Sequence, residues 1–152
     1  MTLSLPQYAE ALLRRAKEQP DRVQRALKRA ADQGATMARK RTLQVAQDTG
    51  RFARGWRSED RDDGAAVVNL EAHAPYVDDG RAPGAAAPPS AVLIRWVERK
   101  MHVGGKDAER IAWSISREIA ERGVRGKEIA AWLAKKLAPV AQREVAKEQE
   151  KL

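Results

Sequence analysis

At 152 residues and 16.9 kDa the chain has the length of one domain, and with 43% hydrophobic residues it can bury a real core. It contains no cysteine, which removes disulfides, thiolate metal sites and cysteine nucleophiles together. Its net charge of +8 is unevenly placed: residues 1–57 hold 13 Lys/Arg against 5 Asp/Glu, and residues 58–152 hold 16 of each.

A basic N-terminal half fits contact with an acidic surface, nucleic acid or protein, or else a solvated helix face. The opening MTLSLPQYAEALLRRAKEQ lacks the basic and apolar regions of a signal peptide. No apolar run approaches the roughly 18 residues of a membrane span. The lack of cysteine fits the cytoplasm, or a particle assembled there.

In chain order, Leu5, Tyr8, Leu12 and Ala16 predict a short amphipathic helix ending near Pro20. Pro20 opens a second, long helix, because a first-turn residue needs no N–H partner. Its apolar stripe is Val23, Leu27, Ala30, Gly34, Met37, Arg41 and Val45, with Arg22, Arg25, Lys28, Arg29, Arg39 and Lys40 on the flanks. A stripe of such small residues suits close packing against one partner element, and Gly34 fits close backbone approach. Asp48, Thr49 and Gly50 end this helix, with Gly50 as a left-handed cap.

Phe52–Glu59 then reads as a strand, Arg61–Gly64 as a hairpin turn and Ala65–Ala72 as the returning strand. Pro75–Gly80 reads as a turn or a single helical turn, and residues 80–89 (GRAPGAAAPP) as a flexible loop. Ser90 is placed to cap a helix carrying Leu93, Trp96, Val97 and Met101 on one side. Asp107 caps the next, with Ala108, Ile111, Ile115 and Ile119 as its stripe. Trp113 lies about 200° from Ile111, off that stripe. Gly123 and Gly126 bracket a turn, and Ile129, Trp132, Leu133, Leu137 and Val140 form the last stripe, kinked or split by Pro139. Trp96 and Trp132 read as core anchors. The predicted class is α+β: a long N-terminal helix, a small antiparallel β-meander and three C-terminal helices. One domain spans residues 1–138, followed by a charged helical tail at 139–152.

Chemistry is hard to find. Asp78, Asp79 and Glu98-Arg99-Lys100 imitate a metal-nuclease pattern, but residues two apart on a helix point in different directions. His73 and His102 have no second ligand at helical or hairpin spacing, so a zinc site is not expected. The HVGGK and GVRGKE stretches lack the glycine spacing of a phosphate loop. The basic helix could track phosphates, although few Asn or Gln accompany its arginines.

The order of the segments carries more. A long helix leads to DTGRFARGW, a hairpin, APYVDDGRAPG, PPSAVLIRWVERK and ERIAWSISREIAERGVRGKEI. Over roughly residues 8–135 this order resembles the neck and tail-completion proteins of long-tailed bacteriophages, the minor tail protein Z type of head-tail joining protein. GKEIAAWLAKKL stands where that family often carries a Pro-Phe segment, and the tail beyond Pro139 matches nothing in it. The resemblance implies a structural virion protein in the neck or tail, assembled in the host cytoplasm, with neither catalysis nor cofactor. It would complete the tail and join it to the head connector as a ring, by resemblance a hexamer. Its partners would be further copies of itself, the tail terminator and the head-connector or stopper proteins, with non-specific contact to packaged DNA and no membrane. Asp48 to Gly84 would then be a sheet with a docking loop rather than an active site. The interface candidates are Arg25, Lys28 and Arg29 on the basic helix, Arg54 and Trp56 at the sheet edge, Tyr76, Asp79 and Arg81 by the loop, and off-stripe Trp113. The alternatives are a small basic nucleic-acid-binding protein and, more remotely, a metal nuclease.

Overall fold

The computed structural model describes Arg14, residues 20–46 and residues 49–150. The expected first helix, with Leu5, Tyr8, Leu12 and Ala16, and the Asp48 part of the cap lie outside the described residues. The fold is α+β, as the sequence predicts. It divides into two compact units, one of residues up to Ala74 together with those from Glu128, the other Pro75–Lys127.

The first unit is built on α1, Pro20–Val45. Its buried set is wider than one stripe: Val23, Ala26, Ala30, Ala31, Ala35, Ala38 and Thr42 are all 9% exposed or less. The helix is covered on two sides, by the hairpin β1 (Trp56–Arg61) and β2 (Gly64–Asn69) and by α6 (Ile129–Gln149). A one-sided reading therefore misses four of its five buried alanines, Ala26, Ala31, Ala35 and Ala38. These small side chains let both neighbours approach closely. A Cβ on Gly34 would meet Leu137 Cδ1 and Val67 Cγ2, each at 2.9 Å, so close approach is what this glycine provides.

Gly50 is left-handed, at φ 73°, but it caps the start of a short helix α2, Arg51–Arg54, rather than the end of α1. The strand expected from Phe52 therefore begins only at Trp56. The amides of Arg54 and Gly55 bond back to the carbonyls of Gly50 and Arg51, closing a helical turn. That turn buries Phe52 and Ala53, with the Phe52 ring 5.8 Å from Trp56 and 5.7 Å from His73. The hairpin is in the expected place: Arg61 pairs with Gly64 across the two-residue turn Asp62-Asp63, and Trp56 pairs with Asn69 at the open end.

Helix α6 runs continuously through Pro139 to Gln149. The charged tail from residue 139 continues this helix, and Glu144 and Val145, 3% and 2% exposed, anchor its last turns. Trp132 is half-buried rather than a full core anchor, with the Arg41 guanidinium 5.5 Å from its ring centroid.

A five-residue helix α3, Ala74–Asp78, leads into the second unit. There β3 (Gly80–Arg81) pairs antiparallel with β4 (Val124–Arg125), and the Lys127 amide bonds to the Val77 carbonyl. This ribbon is a sheet separate from the β1–β2 hairpin. Between the ribbon's strands stand α4 (Ser90–Met101) and α5 (Gly105–Arg122), packed through Val97, Ala108 and Ala112. Trp96 lies partly buried against that cluster. Neither helix starts with the expected cap. Pro89 and Gly104 hold those positions without side-chain bonds, Ser90 is already helical, and Asp107 sits in the first turn beside Arg110.

The 80–89 loop is tied down, contrary to its composition. Arg81 Nη1 donates to the Ala86 carbonyl at 2.6 Å, the Gly84 amide to Ala120 at 2.7 Å, and Ser116 Oγ to Pro88 at 2.7 Å. Hydrogen bonds to backbone carbonyls replace the apolar area that the loop lacks.

Candidate functional site

Three surfaces contain the residues singled out by sequence. The first is the polar flank of α1. Arg25 is exposed, whereas Arg29 turns toward α6, its Nε 3.1 Å from Glu144 and its Nη2 2.6 Å from Glu148. Gln33 Nε2 donates to Glu144 at 3.1 Å, and Lys147 Nζ reaches it at 2.9 Å. These hydrogen bonds from Lys147, Gln33 and Arg29 hold the Glu144 carboxyl down to about 2, and Glu144 in turn raises Arg29 above the ordinary arginine value. Periodicity does not foretell this network, since Arg29 and Gln33 lie more than 100 positions from Glu144 and Glu148.

Lys28 is engaged on the other side of α1. Its Nζ donates to Asp32 at 2.9 Å and to Ser58 Oγ at 2.6 Å, while Ser58 Oγ itself donates to Asp32. The Ser58 bond, then the Lys28 bond, lowers the Asp32 carboxyl; the Asp32 bond raises Lys28. Two of the six flank cations that make α1 look like an open basic face, Lys28 and Arg29, are thus matched inside the unit.

The second surface is the hairpin. Trp56 is 5% exposed and its Nε1 donates to Thr42 Oγ1 at 2.9 Å, so the ring is spent on the core. Arg39 donates from Nε and Nη2 to the Trp56 carbonyl at 3.0 and 2.7 Å, capping one end of the β1 edge. Arg54 is exposed on α2 near the Thr49 carbonyl. At the far end the turn residues Asp62 and Asp63 are exposed, with no ion pair among the described residues.

The third surface belongs to the second unit. Tyr76 is 54% exposed and Arg81 lies over its ring, 4.3 Å from the centroid, with Asp79 exposed nearby in the chain. On the solvent side of α5, Trp113 is 57% exposed and the Arg117 guanidinium sits 5.1 Å from its ring centroid. Arg110, Trp113, Ser114 and Arg117 line one side of a shallow concavity that Glu118, Glu121 and Arg122 complete. Its arginines are held only by exposed pairs, Arg110 with Asp107, Arg117 with Glu121 and Arg122 with Glu118. Off-stripe placement at helical spacing is the signal by which sequence finds this tryptophan.

Among the described residues no group of three or more His, Asp or Glu could hold a metal, and no helix is long and apolar enough to cross a membrane. The arrangement offers surfaces for contact: a rigid acidic turn, an aromatic–arginine face and a tethered loop.

One family model matches the chain over residues 7–82, half its length, under the description "Bacteriophage HK97-gp10, putative tail-component". No curated protein and no solved structure matches significantly.

Proposed function

The chain belongs to the HK97-gp10-like family of bacteriophage tail components, and from that premise we propose that it is a structural protein of the virion neck. In this reading it completes the tail and joins it to the head connector as a ring of identical copies. Its neighbours are the tail terminator and the connector or stopper proteins. It carries out no reaction and needs no cofactor.

The family match supports this reading most directly, because it runs through α1, α2 and the hairpin to the start of the 80–89 loop. The geometry is compatible. Large side chains such as Tyr76 and Trp113 stand exposed on charged surroundings, as at sites meant to be covered by protein. A phosphate-tracking role for α1 draws less support, since Lys28 and Arg29 already have carboxylate partners.

A phage with a nonsense codon in this gene tests the reading. Filled heads and free tails should accumulate unjoined, and purified protein added to the lysate should restore infectious particles. Joined, infectious particles formed without the protein would rule the reading out.

A further inference from the structure

The acidic turn and the tryptophan face are opposite in character, and each lies in a different unit of the chain. The turn is a prepared knob. Gln24 Nε2 donates to the Arg61 carbonyl at 3.0 Å and to the Gly64 carbonyl at 2.6 Å, fixing the hairpin end to α1. Asp60, Asp62 and Asp63 are exposed there, with Arg61 as the one cation in the run 60–63. A rigid knob loses little conformational freedom on docking.

The α5 face is a prepared seat. The core of its unit lies on the Val97, Ala108 and Ala112 side and makes no use of the Trp113 indole, which stays 57% exposed. Arg110 precedes Trp113 by one helical turn and Arg117 follows by one, while the acids of the concavity, Glu118 and Glu121, lie toward the C-terminal end. Exposed pairs such as Arg110–Asp107 and Arg117–Glu121 are worth only about 0–1 kcal/mol, so an incoming carboxylate can displace them. Tryptophan and arginine together are also the side chains most able to anchor a protein contact.

We propose that the hairpin tip of one copy docks on the Trp113 face of a second copy, with Asp62 and Asp63 meeting Arg110 and Arg117 across the indole. The two patches differ, so the contact is head-to-tail, the kind of interface from which a closed ring is built. Direct pairing along β1 is the weaker route, because Arg39 already occupies the Trp56 carbonyl. The contact rests on the reading of the protein as a ring-forming neck component, but its test stands apart from that reading.

Two charge-reversed forms provide the test, Asp62→Lys with Asp63→Lys, and Arg110→Glu with Arg117→Glu. All four positions are exposed, so both forms should keep the wild-type melting temperature. Sedimentation at roughly millimolar protein, the range of weak contacts, should show wild type self-associating and each reversed form monomeric. A one-to-one mixture of the two forms should associate again, since each tip then meets a face of opposite sign. Trp113→Ala should weaken wild-type association about tenfold or more. A monomeric wild type, reversed forms that associate as wild type does, or a mixture that stays monomeric would each overturn the contact. The neck reading fails separately, through joined particles made without the protein, and that result would leave self-association untouched.

Discussion

The α1 unit and the Pro75–Lys127 unit are secured at different levels of the chain. In the first, side chains make the decisive contacts: alanines bring α1 close to two neighbours, and polar contacts fix how they fit, with buried Thr42 and Trp56 on one side and buried Glu144 with half-buried Arg29 on the other. In the second, backbone meets backbone. A Cβ on Gly80 would fall on the Val124 carbonyl oxygen, one on Gly123 on the Arg81 carbonyl, and one on Gly126 on the Asp78 carbonyl. The first unit should therefore be sensitive to side-chain chemistry and pH, the second to the three glycines that let its two ends lie together.

The largest test of this contrast is Trp56→Ala. It removes a nearly buried indole and should destabilise the α1 unit by about 3–5 kcal/mol, measured by urea unfolding followed at α1 and α6. Trp56→Phe keeps most of the volume but loses the bond to Thr42, and should cost about 1–2 kcal/mol. If Trp96→Ala, in the other unit, proves costlier than Trp56→Ala, the ranking of the two cores is reversed.

Gly80→Ala comes next. Its φ of 81° and the Val124 carbonyl both exclude a side chain, so the β3–β4 ribbon should open at a cost of about 3 kcal/mol. Hydrogen exchange should quicken across residues 75–127 more than in α1. Equal loss of protection in both units would show that the ribbon does not act locally.

Charge reversal should separate two arginines that look alike in sequence. Arg29→Glu sets a third carboxylate against Glu144 and Glu148 and should destabilise by about 2 kcal/mol or more, whereas Arg25→Glu should stay within about 0.5 kcal/mol. The same network gives a pH dependence of defined sign. The folded-state value of Glu144, about 2, is below its ordinary 4.5. Its contribution to stability is therefore complete above the unfolded value and is lost as pH falls from 4.5 toward 2. Unfolding midpoints should drop through that window, and Glu144→Gln should flatten the drop. The smallest expected effect is Trp113→Ala: with 57% of the residue in solvent, the melting temperature should move by no more than about 0.5 kcal/mol implies.

Much of this architecture was legible in the residues. The three-to-four spacing from Val23 to Val45 marked α1, alternation around Arg61–Gly64 marked the hairpin, and the off-stripe position of Trp113 marked an exposed aromatic. Local periodicity and turn chemistry suffice for such features, because the groups that cause them are neighbours in sequence. The exposed Asp62-Asp63 turn belongs to the same class.

What tertiary structure alone decided involves partners far apart in the chain. Phe52 looks like a strand residue, yet closing a turn over Gly50 buries it against Trp56 and His73. Loop 80–89 looks loose by composition, yet carbonyl acceptors at Ala86, Pro88 and Ala120 hold it. Arg29 looks like part of an open basic face, yet Glu144, 115 positions away, takes its charge. Periodicity reports which face of a helix is apolar. It does not report how many neighbours will cover that helix, or which distant carboxylate will find its arginine, because those depend on where the chain returns in space.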